Sequence, residues 1–231
     1  MALPRTVAID GPAGTGKSSV AFAVARDLGY LYIDTGAFYR AVTLAAIRAG
    51  MLEADEAALV KIAEESVMEI TPDRDADDRE YTLLLDGKDA THDIRTPEVE
   101  AHVSQISAVG GVRTVLKDKQ RAMAVQGQVI MVGRDIGTVV LPDADLKIYL
   151  DASPEARAER RYRQRIAEGQ PADYDEILAG LHSRDALDSG REVSPLRRAP
   201  DAHYVNTDGL DVDAVVRQMK QIILDWQPPQ P

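Results

Sequence analysis

Apolar and polar positions along the chain follow two periods, and the two take turns. Thr6-Val7-Ala8-Ile9-Asp10 is a short apolar run of strand length that stops at a glycine-rich turn. Leu31-Tyr32-Ile33, Gln128 to Val132, Leu146 to Leu150 and Ala202 to Val205 read the same way. Between these runs the spacing is helical. From Ser18 to Leu28, Val20, Val24 and Leu28 share one face, and Gly29 is the stop signal. Further helices are predicted over Gly36 to Ala49, Asp55 to Ser66, Pro97 to Ala108, Val112 to Val125, Tyr174 to Leu187 and Val212 to Trp226. A long arginine-rich helix begins at Pro154. Strands alternating with helices predict an α/β fold, a doubly wound parallel sheet of about five strands with helices on both faces.

One stretch breaks the alternation. Val67 to Thr71 and Tyr81 to Leu85 favour strand, and Asp86-Gly87 is a tight-turn dipeptide. The charged run Asp73 to Glu80 between them reads as an exposed loop. Residues 67 to 95 are therefore expected to form a small antiparallel β insert. In open parallel sheets ligands sit at the carboxyl ends of the strands. The chemistry is expected after Asp10, Ile33, Val132 and Leu150.

Composition narrows the classes. The 231 residues suit one large domain or a core with a smaller insert, with 45% hydrophobic and 28% charged residues, ordinary globular usage. There is no cysteine, which excludes a disulfide scaffold, a cysteine-ligated metal and a thiol nucleophile. It fits a reducing cytosol, so a cytoplasmic location is expected. The net charge of −11 argues against a general nucleic-acid binder, which needs surplus cations to displace counterions. No apolar run reaches the roughly 20 residues that span a bilayer. Met1 to Asp10 runs straight into a strand and is not expected to be a signal peptide. Residues 227–231 are expected to be a frayed, flexible tail. His92, His102, His182 and His203 lack metal-ligand spacing.

Gly11-Pro12-Ala13-Gly14-Thr15-Gly16-Lys17-Ser18 fits the phosphate-binding pattern GxxxxGK[ST], after a strand and before a helix as that pattern requires. Glycines let backbone N–H groups converge on phosphate oxygens, and the helix start adds partial positive charge. Gly11 to Ser18, with Ser19, are the expected ATP-binding residues. Lys17 is expected on the β- and γ-phosphates and the Ser18 hydroxyl on Mg²⁺. The guanine-reading Asn-Lys-x-Asp of GTPases is absent. A small kinase needs only this loop, an acceptor pocket and a lid. After the second strand, Asp34-Thr35-Gly36-Ala37-Phe38-Tyr39-Arg40 sets a hydroxyl, a phenol and a guanidinium at a helix start. That set suits an anionic acceptor, with Arg40 forking onto a phosphate and Tyr39 donating a further bond. Asp34 reads equally well as a plain helix cap.

Asp34 to Arg40, Asp93-Ile94-Arg95-Thr96-Pro97-Glu98-Val99, Gly133-Arg134-Asp135-Ile136-Gly137-Thr138-Val139-Val140 and Ser183-Arg184-Asp185 together resemble bacterial cytidylate kinases, of the P-loop nucleoside monophosphate kinase superfamily. The resemblance runs from Val7 to the last helix. It implies transfer of the γ-phosphoryl of ATP to CMP or dCMP, on a core with a short lid and an extended monophosphate-binding region. The chain would then divide into a core of 1–34 and 128–226, with the lid at about 155–170. Residues 35–127 would form the monophosphate-binding region with its insert. The resemblance puts Ser104, Arg113 and Asp135 on the cytosine ring and Arg184 and Asp188 on the sugar hydroxyls. Arg40, Arg134 and Arg191 would hold the acceptor phosphate, with Thr35 and Tyr39 nearby. Phe38 stands where the family often has Met, and some members have Gly where this chain has Ser18.

The residues themselves are compatible with this. An aspartate accepts from the cytosine amino group and repels the uracil carbonyl that replaces it. Asp135, at the end of a buried strand, also reads as a Mg²⁺-directed acid. By pattern alone Ser104 is a helix-surface serine and Arg113 a solvated arginine. Arg157, Arg160, Arg161, Arg163 and Arg165 crowd one helix, and 157, 160, 161 and 165 share about half its circumference. A solvated face balanced by Glu155 and Glu159 is one reading. A lid that neutralises the transferring phosphate is the sharper one, and the kinase resemblance favours Arg157 and Arg161, with Arg160 an alternate. Ser194 to Pro200 is either part of an adenine pocket or a connector.

The expected catalytic residues are thus Lys17, Arg134, Arg157 and Arg161. The expected partners are ATP, with Mg²⁺, and CMP or dCMP, for a monomer without membrane or nucleic-acid ligands. Two alternatives stay open: a P-loop kinase for UMP, AMP or a sugar acid, and a non-catalytic nucleotide-sensing or RNA-binding module.

Overall fold

The structure, a computed structural model, describes residues 3–71, 80–125 and 127–228. Its elements in chain order are β1 (Thr6–Asp10), α1 (Lys17–Leu28), β2 (Leu31–Asp34), α2 (Thr35–Arg48), α3 (Glu56–Glu65), β3 (Met68–Thr71), β4 (Thr82–Leu85), β5 (Lys88–Asp89), α4 (Pro97–Ala108), α5 (Gly110–Ala124), β6 (Val129–Gly133), β7 (Leu146–Asp151), α6 (Pro154–Ala167), α7 (Tyr174–Gly190), β8 (His203–Asn206) and α8 (Val212–Leu224). The expected parallel sheet is present, in the order β2-β6-β1-β7-β8. The chain divides into two compact units, Met1–Tyr30 with Gly127–Pro231, and Leu31–Gln126.

In the first unit, β1 pairs in parallel with β6 and β7, and β7 with β8. Val7, Ala8 and Ile9 are all fully buried, as are Ile130 and Met131 on β6. An unbroken apolar run, without the alternation of a half-exposed strand, is what a strand covered on both faces requires. Each such aliphatic side chain contributes roughly 1.5–3 kcal/mol by leaving water. The cover over one part of the sheet comes from α1 packed on α8. Val215, Met219 and Ile223 of α8 recur every four residues and are buried. The register sets Asp10 beside Gly133, so β1 and β6 end level and the turns that follow them start side by side.

In the second unit, α2 packs on α4 and α3 on α5. The antiparallel insert is present too. Met68 pairs with Leu85 and Thr71 with Thr82. Asp86 and Gly87 both take positive φ, +52° and +75°, the conformation of the hairpin turn whose twist matches its strands. A third strand, β5, extends the insert. Two residues are too few to show a period, so the sequence held no sign of it. Residues 73–79 of the expected charged loop, and 229–231 of the expected tail, lie outside the described residues.

Helix starts follow capping chemistry. Asp34, Asp55, Ser153, Asp173 and Asp211 each accept a bond from a first-turn N–H. Asp34 therefore takes the plain cap reading, accepting from Gly36 N at 2.9 Å. α7 runs to Gly190, three residues past the expected end at Leu187. That extension puts Asp188 on the helix, one turn beyond Arg184. Two short turns were not foreseen. One is a 3₁₀ turn at Asp93–Arg95, and the other a single π turn at Ile136–Val140, directly after Arg134 and Asp135.

Candidate active site

The expected donor residues, Gly11 to Ser19, belong wholly to the first unit. Gly11 has φ +148°, and a Cβ there would lie 1.9 Å from the carbonyl oxygen of Leu150. No other residue fits without moving the backbone of β7. Gly14 and Gly16 are left-handed, at φ +79° and +86°, and Gly16 caps α1. This curls the loop into a concave row of backbone amides at a helix start, a natural seat for an anion. Lys17 is 5% exposed, and its ammonium reaches across the loop to the carbonyl of Pro12 and to Thr15 Oγ1 at 3.2 Å. Ser18 is half-buried at the second position of α1 and Ser19 exposed. Among the described residues no cluster of three or more His, Cys, Asp or Glu could hold a metal. The Ser18 hydroxyl is a hard oxygen donor. A single such donor beside phosphate oxygens suits Mg²⁺, which keeps waters and takes few protein ligands.

The arginine helix α6 does not present one face. Arg157 is 2% exposed and forks onto Asp185 at 2.6 and 3.1 Å. It also donates to the carbonyls of Ala152 and Ala13, both at 3.0 Å, so it grips the phosphate loop from below. Arg160 donates to Thr207 Oγ1 at 3.0 Å, to the Thr207 carbonyl and to the Thr15 carbonyl at 3.4 Å. Arg161 is exposed, and Arg163 makes an exposed pair with Glu159. The solvated-face reading fails for Arg157 and Arg160, because buried carbonyls and a carboxylate draw them inward. The lid reading for Arg157 changes as well, since its guanidinium is committed to Asp185. A cavity of about 400 Å³ opens beside the loop, lined by Pro12, Tyr149, Asp151, Arg157, Asp185 and Leu196. Leu196 comes from the Ser194 to Pro200 segment.

Three expected acceptor residues meet in the same unit. Asp188, 3% exposed, accepts from Arg134 Nε at 3.0 Å and from Arg191 Nη2. Its carboxylate was expected on sugar hydroxyls; here it bridges the two arginines expected on the phosphate. The reason is the extension of α7, which brings Asp188 within reach of both. Asp135 is 6% exposed at the start of the π turn. Beside it Asp10, 4% exposed, accepts from Ile136 N at 2.8 Å and Gly137 N at 2.7 Å. Burial pushes the Asp10 carboxyl up to about 6 against those two amides; Asp135 adds to the rise, and Lys17 opposes it.

Of the other expected acceptor residues, Arg184 sits on α7 in the first unit, and Thr35, Tyr39, Arg40, Ser104 and Arg113 belong to the second. Thr35 is 3% exposed at the first position of α2. Arg40 donates through Nε to Glu100 at 2.6 Å. Burial works to lower the Arg40 pKa, but the carboxylates of Asp34 and Glu100 outweigh it and hold the guanidinium charged. Arg113 is buried, not solvated as its pattern suggested. Its guanidinium lies 5.2 Å from the Tyr39 ring centroid, and its Nη1 donates to the Ser107 carbonyl at 3.1 Å. Ser104, half-buried on α4, accepts from Ser107 Oγ through its carbonyl. Tyr81 reaches Asp34 at 3.5 Å and accepts from Arg95 Nη2 at 3.1 Å. Burial, then the Asp34 charge, raises the Tyr81 phenol.

Sequence reasoning missed Asp10, Tyr81, Glu100 and the partnership of Asp185. Asp10 carried a signal, a lone charge closing an otherwise apolar strand. Asp185 stood inside a motif already noted. Glu100 and Tyr81 carried none.

A strand, a left-handed glycine loop closed by its own lysine and a helix, set in a parallel sheet with a following arginine helix, define a P-loop protein of the small-kinase type. A family profile described as cytidylate kinase matches residues 7–225. A cytidylate kinase of Mycobacterium leprae is 50% identical over 218 residues, covering 94% of this chain and 94% of its own. Those of Nocardia farcinica and Exiguobacterium are 48% and 44% identical, over 95% and 94% of this chain and 94% and 95% of theirs. The chain belongs to the cytidylate kinase family.

Proposed function

We propose that this chain transfers the γ-phosphoryl group of ATP to CMP, and to dCMP, as a step of pyrimidine nucleotide metabolism. The observation that carries the reading is the match to cytidylate kinases over residues 7–225, joined to the glycine loop that opens α1 in the same chain. An oxygen of the acceptor phosphate attacks the γ-phosphorus as the bond to the β-phosphate oxygen breaks, and ADP leaves. The acceptor is already an anion, so no general-base histidine is needed. The protein's work is positioning and charge stabilisation.

On this reading the Gly11–Ser18 amides and Lys17 hold the donor phosphates, with Ser19 beside them. Ser18 would hold Mg²⁺, which supplies charge neutralisation at the phosphate oxygens. Arg161, exposed on α6, is the lid arginine best placed to turn toward phosphate, while Arg157 braces the loop from Asp185. Arg40, Arg134 and Arg191 hold the acceptor phosphate near Thr35 and Tyr39. Asp135 accepts from the cytosine amino group, and Ser104 and Arg113 donate to the ring acceptors. Arg184 and Asp188 take the sugar hydroxyls once Asp188 releases an arginine to the phosphate. Excluding water on closure protects ATP from hydrolysis. Among the described residues no helix is long and apolar enough to cross a membrane. The proposed setting is the cytoplasm, and the proposed state a monomer.

A coupled ATP-consumption assay against CMP, dCMP, UMP, AMP and small sugar acids tests the reading. CMP and dCMP should turn over fastest, and Asp135→Ala should erode the preference for cytosine over uracil more than Ser104→Ala does. Faster turnover of UMP, AMP or a sugar acid would reassign the acceptor. Negligible turnover with salt-dependent RNA binding would favour the sensing module.

A further inference from the structure

Asp10 is a carboxylate closing a strand whose last four residues are all buried, and burying a carboxylate carries a heavy desolvation cost. Its two oxygens are divided between two amides. Oδ1 takes the N–H of Ile136 at 2.8 Å and Oδ2 that of Gly137 at 2.7 Å. Those amides open the π turn that follows Arg134 and Asp135 immediately. On the other side, Asp10 is joined by one peptide bond to Gly11, where the donor loop begins. The parallel register seats Asp10 beside Gly133, the last residue before Arg134. A Cβ on Gly137 would press on Lys147, 3.1 Å from its Cδ, and come to ordinary contact, 3.4 Å, with Asp10 Oδ2. An amide side chain could not serve equally, because its NH₂ would face an N–H.

We infer that Asp10 is a positioning residue of the acceptor side: by holding the Ile136 and Gly137 amides it fixes the turn that aims Arg134 and Asp135, and ties that aim to the start of the donor loop. It touches neither substrate. The inference rests on the proposed acceptor roles of Arg134 and Asp135. Its consequence is asymmetric. Loosening the turn spoils the hold on CMP and the reading of its base. The donor loop is shaped by its own glycines and by Arg157, and keeps its grip on ATP.

The experiment compares Asp10→Asn, Gly137→Ala and Asp135→Ala with the wild type, measuring KM for CMP and for ATP, the CMP:UMP ratio of kcat/KM, and Tm. Asp10→Asn loses one charged-acceptor bond and should raise KM for CMP about tenfold and lower the CMP:UMP ratio severalfold, with KM for ATP within about twofold. Gly137→Ala presses on Lys147 at the second of the two held amides and, by displacing the turn there, should shift the same constants in the same direction by a smaller factor. If Asp10→Asn fails to fold, Gly137→Ala alone decides. Unchanged KM for CMP, or equal changes in both KM values, would overturn the inference. Asp135→Ala separates the two failures. If it alters the base ratio while Asp10→Asn and Gly137→Ala do not, only the positioning role falls. If it leaves the ratio untouched, the acceptor reading falls and this inference with it.

Discussion

Eight consecutive residues, Gly11 to Ser18, make the proposed donor cradle, and what they offer at the start of α1 is mostly backbone. The proposed acceptor groups are assembled differently. Arg134 and Asp188 reach each other across 54 positions of sequence, and Arg40 meets Glu100 across 60. The first site is a conformation, imposed by glycines that tolerate left-handed φ and by one that has no room for a Cβ. The second is a set of ion pairs between side chains that tertiary packing brings together. A conformational site is rigid before its ligand arrives. A side-chain site can trade partners, and Asp188 is shared between two, Arg134 and Arg191.

The sharpest test of the contrast is Lys17→Ala. It leaves the glycine loop intact but removes the ammonium that crosses it, and should lower kcat by about 10³-fold. A variant keeping most of its turnover would show that amides alone suffice on the donor side.

Next comes the division within α6. Arg157→Ala strands Asp185 and two carbonyls, and should lower Tm by roughly 6–12 °C. Arg161→Ala should leave Tm within about 2 °C and cut kcat about 10²-fold. Thermal melts with parallel kinetics check both; the reverse pattern would make Arg157 the phosphate arginine and Arg161 the brace.

The smallest effect concerns Asp10. Its carboxyl is raised from an ordinary 3.8 to about 6, so the folded chain holds that proton more tightly than the unfolded one. Its contribution to stability is full below about pH 4 and is lost as pH rises through about 6. The Tm of the wild type minus that of Asp10→Asn should therefore fall as pH rises across that window. A difference that stays level would mean that the carboxyl titrates as an exposed one does.

Much of the architecture was readable before any coordinates. β1, and α4 from Pro97 to Ala108, fall where the periodicity put them, and the Asp86-Gly87 turn forms as its residues demand. The failures are also physical. The π turn after Asp135 exists because the Asp10 carboxylate holds its first amides, a tertiary contact with no local sign. The end of α7 was misjudged because Ser189 and Gly190 weigh against helix locally. Arg113 looked like a solvated arginine and Arg157 like a lid arginine, because the partners beside which they are buried, Tyr39 and Asp185, are remote in sequence.

What the chain determined by itself is the order of strands and helices and the conformation of the Gly11–Ser18 loop, because periodicity, capping and the conformational range of glycine act between near neighbours. What only the tertiary structure decided is which arginines brace and which stay exposed, and which carboxylates hold them. Those choices depend on charges that meet only after the sheet has formed, when burial makes each unpaired charge too costly to leave alone.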